Sequence, residues 1–241
     1  MQQYLRLKQT RVTIIIDVFR AFTTASYILE KNPTIYVLTT KSPTISRLAS
    51  NLSNSVFIGK PEKKATLAYN IPNSPARTQE IKITGKHVFH RTEAGAKGII
   101  LAKNSDIILA AGFVNAYATV QHIKTLQNPK VTIVPMGHEG STPTLEDDVC
   151  ATYIKNLIYN KKTDLISFIP SIRNGTGKYF FSEDQWQYPK EDFELCLKTN
   201  RFTFAIQATV HRDYAILTRC DINPLKKTYV VQSAVIQQGG F

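Results

Sequence analysis

The chain has 241 residues, 43% hydrophobic and 20% charged, the make-up of a globular protein with a sizeable core rather than a disordered or low-complexity one. A formal net charge of +12 favours anionic ligands, yet the lysines are spread out, apart from pairs such as Lys63-Lys64, Lys161-Lys162 and Lys226-Lys227. With no basic tail, zinc-finger spacing or RNP-like motif, this distribution argues against nucleic acid as the partner and suits a small phosphorylated acid.

No apolar run is long enough to span a bilayer, and residues 1–6 lack the apolar stretch of a signal peptide, so a cytoplasmic, non-membrane protein is expected. Cys150, Cys196 and Cys220 are too few and too scattered for a disulfide framework and show no CxxC spacing. Self-association as a homo-oligomer is compatible with the sequence and not specified by it.

The chain opens with strand, turn and helix, repeated. The β-branched run at 12–17 predicts a strand covered on both faces, followed by a helix over 20–30, a strand at 34–38 and a helix over 43–51. Strands are expected at 55–58, 86–89, 107–110 and 130–135, with helices starting near Gly95 and spanning 115–126 and 145–159. Residues 171–199 read as helical fragments, and 202–219 as short strands forming a hairpin. This alternation predicts the α/β class: a three-layer α/β/α fold with a largely parallel sheet and a smaller C-terminal α+β portion. One domain over 1–241 is the expected organisation, with a subdivision near 160–170 as the alternative.

Five segments concentrate chemistry. In Ile16-Asp17-Val18-Phe19-Arg20, a carboxylate at the carboxyl end of a strand precedes an arginine at a helix start, where open α/β sheets bind ligands. Asp17 can hold a divalent cation there, or simply cap the helix. Asn70-Ile71-Pro72-Asn73-Ser74-Pro75 lies in a long loop over 59–78, where Asn73 and Ser74 offer neutral hydrogen bonds or merely make turns. His90-Arg91-Thr92-Glu93-Ala94-Gly95-Ala96-Lys97-Gly98 follows a strand without P-loop spacing. Its amides can cradle an anion, or its glycines can serve close packing. Gly112-Phe113-Val114-Asn115 is a strand-to-helix turn with Asn115 as its cap.

The fifth segment, from Met136 through Glu139 to Cys150, is the richest. Glu146, Asp147 and Asp148 fall in the first turn of a helix just after a strand, with Glu139 in the turn between. The helix dipole accounts for one or two of these acids, and less readily for four within ten residues. Converging with Asp17, they would suit Mg²⁺, which takes hard oxygen ligands. Cys150 is either a thiol activated near a helix start or a packing residue, and the absence of a CxxxxxR loop favours packing.

In this order the segments IDVFRAFTT, NIPNSP, HRTEAGAKG, AGFVNA and MGHEGSTPTLEDDVC resemble the 2-phosphosulfolactate phosphatase (ComB) family, from about Val12 to about Arg219. The resemblance implies Mg²⁺-dependent hydrolysis of the phosphate ester of a small sulfonated acid. On it, Asp17, Arg20 and Glu139 are the expected catalytic residues. Asp17, Glu139, Glu146 and Asp147 are the expected metal ligands. Asn73, Ser74, Arg91, Thr92, Gly95, Lys97 and Asn115 are the expected substrate contacts. The nucleophile is a metal-activated water or Asp17 itself. Three positions depart from the family pattern: Asn70 where an Asp is expected, Pro72 for Gly, and Ala96 for Thr. The departures at Asn70 and Ala96 motivate a rival reading as a non-catalytic binder of an anionic metabolite or a partner protein, and the net charge of +12 a second rival, a basic nucleic-acid-binding protein.

Overall fold

The computed structural model describes residues 9–60, 67–222 and 233–237. The pairs Lys63-Lys64 and Lys226-Lys227, and part of the loop expected over 59–78, lie outside them.

The first half alternates as the hydrophobic pattern dictates. In chain order it runs β1 (Thr10–Ile16), α1 (Ala21–Glu30), β2 (Ile35–Thr39), α2 (Ser42–Ala49), β3 (Ser55–Gly59), the single turn α3 (Pro75–Thr78) and β4 (His87–Arg91). Then come α4 (Ala94–Leu101), β5 (Ile107–Ala111), α5 (Ala116–Lys124), β6 (Pro129–Pro135) and α6 (Leu145–Ile158). A stretch of short helices follows, including α7 (Ile169–Asn174) and α8 (Lys190–Leu197), and then β7 (Phe204–Val210), β8 (Ala215–Asp221) and β9 (Ser233–Ile236).

Side-chain alternation along β1 shows why there are three layers. Val12, Ile14 and Ile16 belong to one buried cluster with Val120 and Ile123 of α5 and Val149 and Ile154 of α6. Ile15 points the other way, into a cluster with Phe22 and Ile28 of α1 and Ala96 and Ile99 of α4. A strand apolar on both faces must be covered on both, and each fully buried Ile contributes roughly 1.5–3 kcal/mol relative to exposure.

The described strands form one sheet in the order β3-β4-β2-β8-β7-β5-β1-β6-β9. The pairings β1–β5, β1–β6, β2–β4, β3–β4 and β6–β9 are parallel. The hairpin β7–β8 is antiparallel within itself and to both neighbours, β2 and β5. The C-terminal hairpin is therefore the bridge at the middle of the sheet, and β9 adds an edge strand that the sequence pattern did not announce.

Because β7 and β8 intervene, the β3-β4-β2 set runs opposite to the β5-β1-β6-β9 set. Five pairings separate β4 from β1. Sheet twist of about 20–25° per pairing turns them by roughly 100–125° away from strict opposition. Their carboxyl ends thus open on a common concavity, and α4 crosses the sheet between them.

Candidate active site

The concavity is a cavity of about 560 Å³ lined by residues from the ends of β1, β3, β4 and β6. Asp17 and Arg20 come from the turn after β1, Arg91 and Thr92 from the end of β4, and His138 and Glu139 from the turn after β6. A second cavity of about 330 Å³ adjoins it, sharing Arg20, Asn73 and Tyr188 and reaching Glu146, Asp147 and Thr176.

Asp17 is fixed by backbone on both oxygens. The Ala21 N–H donates to Oδ1 at 3.0 Å, and the Gly95 N–H, in the first turn of α4, donates to Oδ2 at 2.9 Å. Burial pushes the Asp17 carboxyl up to about 6, against the pull of those two N–H donors, with the Glu146 charge adding to the rise. The close approach needs glycine at 95, since a Cβ there would lie 2.9 Å from Asp17 Oδ2.

Asp147 clamps two turns together. The Val18 N–H donates to its Oδ1 and the Gly137 N–H to its Oδ2, both at 2.8 Å. These turns follow the parallel neighbours β1 and β6, so one carboxylate at the start of α6 holds both strand exits. Glu146 is buried beside it and accepts from the Thr176 hydroxyl at 2.5 Å. Burial first, then mutual repulsion with Glu146 and Asp17, raises the Asp147 carboxyl well above the usual carboxylate range. Burial likewise raises Glu146.

Arg20 is 6% exposed and, among the described residues, hydrogen-bonds through Nη1 alone. Nη1 donates to the Gln187 carbonyl at 2.6 Å and to Asp192 Oδ2 at 2.8 Å. The guanidinium packs over the rings of Tyr188 and Phe180, 4.8 and 5.7 Å from their centroids. Nε and Nη2 make no hydrogen bond among the described residues, and Arg20 lines both cavities.

Asn73 also lines both cavities, and its buried Oδ1 finds no partner among the described residues. Ser74 is buried behind the wall, capping α3 and donating to Asp192 Oδ1 at 2.9 Å. Arg91 donates to the Lys60 carbonyl at 3.0 Å and pairs with Glu93 at the cavity rim. Thr92 lines the same rim. The Lys97 ammonium reaches the Gly140 carbonyl at 3.5 Å and is not among the lining residues. Asn115 is wholly buried and spent on its own turn, accepting from the Gly112 N–H and donating to the Ala110 carbonyl. Glu139 stands on the exposed turn, 71% exposed as a side chain and 3.9 Å from His138. Cys150 packs in the core, where burial raises its thiol well above the ordinary range.

The departures from the family pattern at Asn70 and Ala96 fall outside the cavities. Asn70 Oδ1 accepts the Phe57 N–H at 2.8 Å, so this side chain secures the edge strand β3. Ala96 lies on the buried face of α4, in the core.

The donor chemistry can be tested against Mg²⁺. Among the described residues no three His, Cys, Asp or Glu side chains converge as a ready-made cation cage. Mg²⁺ does not require one: it keeps several waters and is usually held by one or two carboxylates together with a substrate phosphate. Asp17, Asp147 and Glu146 supply hard anionic oxygens whose mutual repulsion a cation would relieve, and the unpartnered Asn73 Oδ1 supplies a neutral one. The residues fit the ion.

Sequence reasoning missed Thr176, Gln187 and Tyr188, which come from the segment over 171–199 and close the cavity walls, and Asp192 of the same segment, which is buried behind them. Only the aromatic richness of that segment hinted at them.

A parallel-strand exit carrying buried acids, an arginine with an unused edge and a helix-start amide defines an anion-handling site of the α/β enzyme type. The family model for 2-phosphosulfolactate phosphatases matches residues 2–209, and the chain belongs to that family. It is 28% identical over 193 residues to a protein of Bacillus subtilis named "Probable 2-phosphosulfolactate phosphatase", covering 78% of this chain and 82% of the relative. Proteins of the same name from Prochlorococcus marinus and Thermosynechococcus vestitus are 24% and 26% identical, covering 65% and 64% of this chain. The chain spans just under two thirds of those two relatives, 65% and 64% of their lengths. No helix among the described residues is long and apolar enough to cross a membrane.

Proposed function

We propose that this chain is a Mg²⁺-assisted phosphatase of small phosphate monoesters that carry a further acidic group, 2-phosphosulfolactate being the ester its relatives' names point to. The observation that carries the reading is that Asp17, Asn73 and Arg20, whose Nε and Nη2 make no hydrogen bond among the described residues, line one cavity.

Mg²⁺ would be held by Asp17 with Asp147 or Glu146, and when bound it supplies charge neutralisation at a phosphoryl oxygen and a lowered pKa for bound water. The Arg20 Nε and Nη2 donors suit two oxygens of one phosphoryl group, a charge-assisted bidentate contact. Arg91 at the rim adds positive charge for the substrate's second anion. Hydrolysis forms a P–O bond to the incoming oxygen and breaks the ester P–O bond, and the departing alkoxide takes a proton. Two nucleophiles suit this geometry: water positioned beside Asp17, or Asp17 Oδ itself through an aspartyl phosphate that water then cleaves.

The test is phosphate release from a panel of esters including phosphosulfolactate and phospholactate, with Mg²⁺ and with chelator. Release that needs the cation is expected, and its absence from folded protein across the panel would overturn the reading.

A further inference from the structure

Asp192 belongs to no cavity wall, is completely buried, and connects three segments far apart in the chain. Its Oδ2 accepts from Arg20 Nη1 at 2.8 Å, while its Oδ1 accepts from the Ser74 hydroxyl and the Ala76 N–H, both at 2.9 Å. Ser74 Oγ in turn accepts the Arg77 N–H at 3.1 Å, so its hydroxyl proton is committed to Asp192. Three donors therefore face this side chain and no acceptor does. Among side chains of this size only a carboxylate, an acceptor on both oxygens, satisfies that set.

We infer that Asp192 is the positioning residue of the site, holding the Arg20 guanidinium and the Asn73 turn in one fixed relation so that both present to the same bound anion. The inference rests on the reading of Arg20 as the phosphate clamp. A guanidinium gripped at Nη1 by Asp192 and Gln187, and packed over Tyr188 and Phe180, keeps Nε and Nη2 for the cavities that Arg20 lines. Asn73 immediately precedes the Ser74 cap that Asp192 anchors. An asparagine at 192 would turn an NH₂ either toward Arg20 or toward both Ser74 and Ala76, and in either case leave Arg20 without its counter-charge.

The test is a double-mutant cycle on the full chain, Asp192→Asn with Arg20→Ala, read twice: by kcat and KM on 2-phosphosulfolactate with Mg²⁺, and by calorimetric affinity for inorganic phosphate. Asp192→Asn is expected to lower kcat/KM about 10- to 100-fold, as losing the support of a site residue does, with folding checked by circular dichroism. In the Arg20→Ala background the same change is expected to cost at least about fivefold less in kcat/KM and in phosphate affinity than it does with Arg20 present, the remainder coming through the Asn73 turn. Losses that multiply in both readouts would assign Asp192 a merely structural role and overturn the inference. If Asp192→Asn does not fold, Asp192→Glu keeps the charge, displaces the guanidinium and carries the same cycle. Coupled phosphate affinities in a protein without turnover would sink the phosphatase reading and leave the positioning role standing.

Discussion

Asp17 Oδ2 lies 2.9 Å from the backbone nitrogen of Gly95, a contact that joins the exit of β1 to the first turn of α4 across 78 residues of chain. It orients the carboxylate and leaves no room for a side chain at 95, where a Cβ would also sit 3.0 Å from Phe22 Cζ. Gly95→Ala is therefore expected to destabilise the fold by about 1–3 kcal/mol through overpacking and to lower turnover by displacing Asp17. Denaturant unfolding and kcat measured on the same preparation check both effects. Wild-type stability and rate in the variant would remove Asp17 from its assigned place.

Asp147 and Glu139 should separate cleanly. Asp147→Asn places an NH₂ against either the Val18 or the Gly137 N–H, both of which now donate to the carboxylate. A cost of about 1–3 kcal/mol in stability is expected, with loss of most Mg²⁺-dependent turnover. Glu139→Gln, on an exposed turn, should change stability by less than about 0.5 kcal/mol and turnover by less than about threefold. Urea midpoints and initial rates for the two variants decide whether Glu139 belongs with the metal ligands.

The acid limb of the pH–rate profile follows from Asp17. With its carboxyl pushed up to about 6, activity that needs the ionised form rises as pH climbs through about 6. The Glu146 and Asp147 carboxyls are raised as well, by burial and by repulsion among the three acids, so the limb belongs to the group rather than to one residue. Saturating Mg²⁺ favours the ionised forms and should move the limb to lower pH, which profiles at low and high cation concentration measure directly.

His90 sets a separate dependence in stability. It is completely buried on β4, shares a 2.6 Å hydrogen bond between its Nδ1 and the Tyr36 hydroxyl, and is pushed down to about 3 by burial, with Arg20 adding to the fall. Between about 3 and the ordinary histidine value near 6.5 the unfolded chain binds a proton that the native chain does not. The slope of unfolding free energy with pH is positive in that window. Stability from this group is thus complete above about 6.5 and declines as the pH falls toward 3. His90→Gln should flatten that acid decline in urea-unfolding series between pH 4 and 7, even if it lowers stability at neutral pH.

Much of this was legible in the chain. The β-branched run at 12–17 and its successors fixed strand, turn and helix through β6, because buried parallel strands must be apolar on both faces. Asp17, Glu139, Glu146 and Asp147 drew attention together as acids at strand exits, and the fold buries Asp17, Glu146 and Asp147 while leaving Glu139 exposed, a distinction that spacing does not carry. The centre of the sheet was not legible: nothing local in β7 and β8 says that the hairpin inserts between β2 and β5, since that depends on pairings 96 to 179 residues apart. Asp192 was hidden for a related reason. It sits beside Glu191 in an ordinary acidic first turn of α8, and only the tertiary contact with Arg20 distinguishes the buried acid from its exposed neighbour. Asn115 showed the converse, a cap whose side chain folds back on its own turn.

The central claim is that the Asp17-centred cavity hydrolyses a phosphate ester with a cation's help. The most direct test is phosphate release from 2-phosphosulfolactate by the wild type and by Asp17→Asn, with and without Mg²⁺. The account predicts release by the wild type only with Mg²⁺, and in Asp17→Asn a rate lower by at least about 10³-fold with the fold retained. Equal Mg²⁺-dependent release by the two proteins would contradict it.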